Sequence, residues 1–215
     1  MKIFNKQRFL RIIVILILLF AFILISAFSY VSAVSRDIAN SVFRLHVIAN
    51  SDSIEDQSLK LEVRDALLDY MNKISINCKT KNEVINLAMK HKDNFKKIAE
   101  DIISENGFNY LVEVDICNSY FPTKTYGDLS FPVGMYDCLK IKIGNASGKN
   151  WWCVMFPPLC FVDVSTGIVP NDSKEQIRND LIDEEFNLIC NSDNQINFKF
   201  KLVELFQNLK LGKNI

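Results

Sequence analysis

The 215-residue chain has only two histidines, His46 and His91, and no pair of cysteines at CxxC spacing. The usual ligand sets of a structural or catalytic zinc are therefore missing, and no metal or other cofactor is expected. No internal repeat, low-complexity linker or Pro/Gly-rich hinge interrupts the sequence. Residues 36–215 therefore read as one domain, long enough to build its own core. Positive charge is also in short supply once the N-terminus is set aside. Lys2, Lys6, Arg8 and Arg11 precede Arg36, leaving 21 of the 25 basic residues against 25 Asp and Glu. A net charge of about −4 argues against nucleic acid and anionic lipid as binding surfaces. The six cysteines, Cys78, Cys117, Cys138, Cys153, Cys160 and Cys190, are too sparse for a small disulfide scaffold.

The first 35 residues do carry a strong signal. The four basic residues are followed by an uncharged, mostly apolar run over 12–34. As a helix this run spans about 34 Å, enough for a hydrocarbon core of about 30 Å. With basic residues on the near side only, the N-terminus stays in the cytoplasm and everything after the run is exported. Residues 1–35 are thus a signal peptide or a single transmembrane anchor. Val31 and Ala33 stand at the −3 and −1 positions of a possible cleavage site.

The exported part follows an α+β pattern: a helical pair packed on a mostly antiparallel sheet. Residues 42–49 are rich in strand formers and read as a mostly buried strand. Asp52 or Ser53 caps a helix whose apolar stripe is Leu59, Val63, Leu67, Tyr70, Met71 and Ile74. A second helix starts near Thr80, carries Val84, Ala88, His91, Phe95, Ile98 and Ile102, and stops at Gly107. Strands follow at 110–117, 137–143 and 151–155, the last two joined through 144–148. A helix over 175–189, a short strand over 196–200 and a closing helix over 201–209 complete the expectation.

Residues 150–163 (NWWCVMFPPLCFVD) hold both tryptophans, two cysteines and a Pro-Pro pair. Adjacent residues on a strand point to opposite faces, so one of Trp151 and Trp152 enters the core. The other needs a second apolar surface, either a helix of the same domain or a partner protein. Cys153 and Cys160 are the best-placed pair for a disulfide, because Phe156-Pro157-Pro158 turns the chain between them. Two reduced, buried thiols are the alternative.

Few residues suggest catalysis. Cys153 or Cys160 with His46 would give a thiol–imidazole pair, the minimum for a secreted cysteine-dependent hydrolase. Apolar neighbours raise a thiol's pKa, however, and no Gly-rich turn or helix start follows either cysteine to form an oxyanion hole. Asp52, Glu55 and Asp56 read as helix-start carboxylates favoured by the macrodipole. His91 lies on an apolar stripe, as core-edge histidines do. His46, Asn50, Ser51 and Asp52 are either a strand end turning into a capped helix or a polar rim exposed for recognition.

The run Arg44-Leu45-His46-Val47-Ile48-Ala49-Asn50-Ser51-Asp52-Ser53, with Asp56-Gln57 and residues 59–65, resembles the opening of the stage II sporulation protein R family. The resemblance continues through Phe121-Pro122, Thr125-Tyr126-Gly127, Phe131-Pro132, Gly134-Met135-Tyr136 and Leu139-Lys140-Ile141 to residues 150–163. Cys138 stands where a small residue such as alanine is expected, and Cys78, Cys117 and Cys190 look peculiar to this chain. The resemblance implies a non-enzymatic signalling role in endospore formation. Such proteins are made in the forespore and exported across its membrane into the intermembrane space. There they trigger a membrane-embedded aspartic protease of the mother cell, which processes the precursor of sporulation sigma factor E. Its partners would be that protease and, through the N-terminal helix, the membrane; no small-molecule substrate and no nucleic acid are implied. Trp151, Trp152, Phe131, His46, Asn50, Ser51 and Asp52 are the candidate contacts, since aromatic anchors dominate interfaces. A structural envelope protein remains a rival reading.

The charge asymmetry gives a direct test of topology. A reporter active only in the cytoplasm, fused after Ile215, is expected to stay silent; an active fusion overturns the export reading.

Overall fold

The computed structural model describes residues 2–160 and 169–190. Its first helix, α1 (Lys2–Asn40), is long and apolar enough to cross a membrane. From Phe9 to Phe28 its large apolar side chains are exposed around the helix, as a lipid-facing segment requires. Near Val34 this changes. Val34, Ser35, Ile38 and Ala39 are buried against the rest of the protein, so the boundary drawn at 35/36 falls inside one continuous helix.

Strand β1 (Phe43–Ile48) follows and lies inside a four-stranded sheet. The order is β2 (Val112–Phe121), β5 (Gly134–Ile143), β1, β6 (Asn150–Phe156). β2–β5 and β1–β6 pair antiparallel, while β1–β5 is parallel. The sheet is therefore mostly antiparallel but mixed. A parallel pair needs a crossover, supplied here by α2 (Ile54–Ile74), α3 (Lys81–Lys90) and α4 (Lys92–Glu105). This gives the expected α+β architecture.

Alternation along β1 sorts its side chains into two apolar clusters. Phe43, Leu45 and Val47 face a first cluster containing Leu59, Val63 and Leu67 of α2, Val84 and Ala88 of α3, and Phe95 and Ala99 of α4. Arg44 and His46 point to the opposite face. There a second cluster joins Ile38, Val42, Phe121, Tyr136, Cys138 and Val154 to Ile177 of α5 (Asn171–Asn179) and Ile189 of α6 (Asp183–Cys190). A two-stranded hairpin, β3 (Lys124–Tyr126) with β4 (Leu129–Phe131), also covers this face through Leu129 and Phe131. Lys174 of α5 pairs with Asp128 at the hairpin turn at 2.5 Å, and the backbone N–H of Val169 donates to the same carboxylate.

Helix boundaries follow local chemistry. The Ser53 hydroxyl accepts from the Asp56 N–H to cap α2, and Thr80 with Glu83 forms a capping box on α3. The helix expected from Thr80 to Gly107 is interrupted at His91, which ends α3 and precedes α4. The His91 N–H donates to Leu87 O and its C=O accepts from Phe95, so helical hydrogen bonding carries across the break and the apolar stripe stays in phase. The Tyr70 hydroxyl meets His91 Nδ1 at 2.6 Å and holds the bend against α2. The helix expected over 175–189 is likewise two helices, parted at 180–182. The hairpin β3–β4 was not expected, and the strand at 196–200 and helix at 201–209 lie outside the described residues.

The buried end of α1 makes a testable contribution. Ile38 has no accessible surface, so Ile38→Ala is expected to lower stability by about 2–5 kcal/mol. Ile23→Ala, in the exposed part of the same helix, is expected to change it by no more than about 0.5 kcal/mol. Denaturant unfolding of the detergent-solubilised chain distinguishes the two.

Candidate partner-binding site

The polar run after β1 builds a clasp, with Asp56 as its hub. Ser51 Oγ and Asn50 Nδ2 both donate to Asp56 Oδ2, at 2.6 and 2.8 Å. Asn50 Oδ1 accepts from the Asn145 N–H, and the Asn50 carbonyl accepts from Ser147 Oγ at 2.7 Å. Asp52 Oδ1 accepts from the Lys149 N–H at 2.6 Å. The β5–β6 loop is thereby fastened to the turn between β1 and α2. Two glycines permit the approach: a Cβ on Gly144 would sit 2.3 Å from Asn50 Oδ1, and one on Gly148 only 2.1 Å from the Ser51 carbonyl oxygen. Beneath the clasp, buried Lys60 donates to Gln57 Oε1 at 2.6 Å and to the Lys149 carbonyl at 3.0 Å. Burial pulls the Lys60 pKa down, with the Asp52 carboxylate opposing. Burial alone would raise Asp56, but hydrogen bonds from Ser51, Asn50 and Tyr110 outweigh it and hold the carboxyl below its ordinary value. Asn50, Ser51 and Asp52 thus spend their polar groups on the fold itself, and among the three Asp52 is exposed.

The tryptophans lie on opposite faces, as strand geometry demands, but neither is fully buried or fully free. Trp151 packs at the edge of the first cluster, and the Arg64 guanidinium of α2 lies over its ring at 4.1 Å. Trp152 packs against the second cluster, stacked on His46 at 5.6 Å with Lys124 Nζ 5.6 Å from its ring. Phe131 is wholly buried and meets Tyr126 edge-on at 5.9 Å, so it anchors the hairpin from inside.

His46 is 7% exposed, between Trp152 and Phe121. Its Nε2 lies 2.7 Å from Asn150 Oδ1, which places the ring proton on Nε2. Burial first, then the charges of Lys140 and Arg44, lower its pKa to about 4 against the hydrogen bond to Asn150. The imidazole is neutral at physiological pH.

Cys153 and Cys160 are joined in a disulfide with Cα atoms 5.1 Å apart. Both belong to the first face, whereas His46 belongs to the second. The thiol–imidazole pair is therefore not formed: the sheet separates its members and the sulfurs are bonded to each other. Among the described residues no group of three or more His, Cys, Asp or Glu side chains could hold a metal ion.

Arg44 was not singled out from the sequence as a buried cation. It has no accessible surface, and its guanidinium lies 4.2 Å from the Phe121 ring centroid and 4.6 Å from that of Tyr136. Nη2 donates to the Tyr126 hydroxyl at 3.0 Å, which donates in turn to the Trp152 carbonyl at 3.2 Å. The available signal was a charge within an otherwise apolar strand.

These features define an α+β protein behind an N-terminal apolar helix, with most of its motif side chains committed to its own fold. Residues 39–166 match the family described as Stage II sporulation protein R (spore_II_R), and the chain belongs to that family. The stage II sporulation protein R of Bacillus subtilis (strain 168) is 36% identical over 139 residues. That match covers 65% of this chain and 62% of the relative, so it spans less than two thirds of the relative's length. No solved structure matches.

The buried imidazole gives a pH prediction with a definite sign. The unfolded chain binds a proton at His46 below about pH 6.5, whereas the folded chain does so only below about 4. Stability therefore falls as pH drops through this window, by up to about 3 kcal/mol from this residue. The stability difference between wild type and His46→Gln is expected to narrow in wild type's disfavour from pH 7 to pH 4; a difference independent of pH refutes the assignment.

Proposed function

We propose that this chain is an exported forespore signalling protein that activates the mother-cell membrane aspartic protease processing the precursor of sporulation sigma factor E. Membership of the stage II sporulation protein R family carries the proposal. The N-terminal apolar helix, with its basic residues on the near side, supports export. The Cys153–Cys160 disulfide is in keeping with an oxidising space outside the cytoplasm.

The chain acts by binding. A ligand shifts a partner toward its active state only by the difference between its affinities for the two states. A hundredfold activation thus needs about 2.7 kcal/mol of differential contact. Trp151 with Arg64 is the best-placed source on this surface, since Trp and Arg are the residue types that most often anchor interfaces. The anchor leaves this side free: α1 joins the protein on the second face, and Trp151 lies on the first.

Co-expressing the chain with the protease and the sigma precursor is expected to yield cleaved precursor. Trp151→Ala is expected to fold, to bind the protease more weakly by about 2 kcal/mol or more, and to reduce cleavage accordingly. His46→Gln is expected to process normally wherever it remains folded. Undiminished cleavage by Trp151→Ala moves the contact surface elsewhere. A folded His46→Gln variant that binds the protease but gives no cleavage supports chemistry by this chain instead.

A further inference from the structure

Cys117 and Cys138 stand directly opposite each other in the antiparallel β2–β5 ladder. Cα atoms of such partners are about 4.5–5.5 Å apart, inside the span a disulfide bridges. Both side chains point to the second face, where Cys138 is a buried member of the cluster and Cys117 packs against it, half-exposed. Cys117 is near enough to Cys138 to add to the upward shift of its pKa, beside the register that pairs them. Cys78 packs against the opposite cluster, and Cys190 lies at the end of α6. Neither has a cysteine facing it in the strand register.

We propose that Cys117 and Cys138 form a second disulfide in the exported protein, fixing the edge strand β2 to β5. The inference rests on the export reading for its oxidant, a disulfide-bearing exchange partner outside the cytoplasm. The Cys117 thiolate attacks one oxidant sulfur, forming a mixed disulfide and releasing one oxidant thiolate. The Cys138 thiolate then attacks Cys117 Sγ, closing the cross-strand bond and releasing the second oxidant thiolate. The two thiol protons pass to those thiolates or to water. The accessible member must react first. Burial, with Cys117 adding to it, pushes the Cys138 thiol up to about 12, so closure accelerates with rising pH and while the strand pair is still opening. The bridge would sit four residues before Phe121, one of the two rings over Arg44.

The test uses the full chain in detergent, reduced and then equilibrated in a glutathione redox buffer at pH 8. It is next alkylated and digested without reductant, and its linked peptides are identified by mass spectrometry. The expected result links the Cys117 peptide to the Cys138 peptide and Cys153 to Cys160, leaving Cys78 and Cys190 alkylated. Cys153–Cys160 linked while Cys117 and Cys138 are separately alkylated or glutathione-capped overturns the inference. Cys138→Ala, a small residue at a position where one was expected, should keep the Cys153–Cys160 link and leave three modifiable thiols. Alkylating intact sporulating cells separates the two readings. Cys153–Cys160 linked alone in cells overturns this inference. All six cysteines reduced in cells, with both links forming in glutathione, overturns the export reading instead.

Discussion

Arg44 carries a charge that has no route to water, and one face of the sheet is arranged around that constraint. A guanidinium cannot shed its proton, so burial cannot be relieved by neutralisation as it is for a lysine or a carboxylate. No carboxylate partners it among the described residues, and its Nε and Nη1 have no hydrogen-bond partner there. The stabilisation comes instead from Phe121 and Tyr136, each worth about 2 kcal/mol when desolvated, and from the hydroxyl of Tyr126. Those three residues come from β2, β5 and the β3–β4 hairpin. Satisfying one cation therefore fixes three elements against β1. The same charge reaches His46 two residues on and is one of the reasons the imidazole stays neutral. A second cation beside the first would be uncompensated.

This arrangement explains what the sequence did and did not disclose. β1, α2 with its cap, and the opposite facing of Trp151 and Trp152 rest on short-range rules of periodicity, capping and alternation, and these were readable. The parallel pairing of β1 with β5 was not, because it joins residues about 95 apart and leaves no local trace. The β3–β4 strands are three residues each, too short for a period of two to show, and they exist because Phe131 and Leu129 are needed over Arg44's face. Charged residues are rarely fully buried, so the sequence alone did not mark Arg44 as a core residue. The break at His91 had no Gly or Pro to announce it, since the hydrogen-bond ladder is bent rather than broken there.

The clasp changes the meaning of the most recognisable motif in the chain. Asn50, Ser51 and Asp52 look like a recognition rim when read along the sequence, yet Asn50 and Asp52 hold Asn145, Ser147 and Lys149 of a loop nearly 100 residues away. A motif of this kind is demanding because each member has one geometric task. Ser51 and Asn50 share a single carboxylate oxygen, and Gly148 leaves no room for a side chain against Ser51. The polar groups of this segment therefore serve the fold's own requirements. On the proposed reading, recognition would rest on side chains the fold does not need in full, of which the half-buried Trp151 under Arg64 is the clearest.

The first helix changes character near its end. Its exposed, apolar part gives way to buried side chains at Val34, and the small-residue cleavage pattern ends at Ala33. A cut between these two residues would release every α1 side chain buried in the second cluster together with the folded part. A retained helix would keep the same contacts in place. The core is therefore indifferent to cleavage, because its lowest helical turns begin where the lipid-facing stretch stops. On the proposed reading, what cleavage alters is dimensionality: an anchored ligand would search for its partner within a fixed layer above the membrane, at a raised effective concentration. The apolar, exposed helix and the helix that closes the core are one continuous element, whose character changes at Val34.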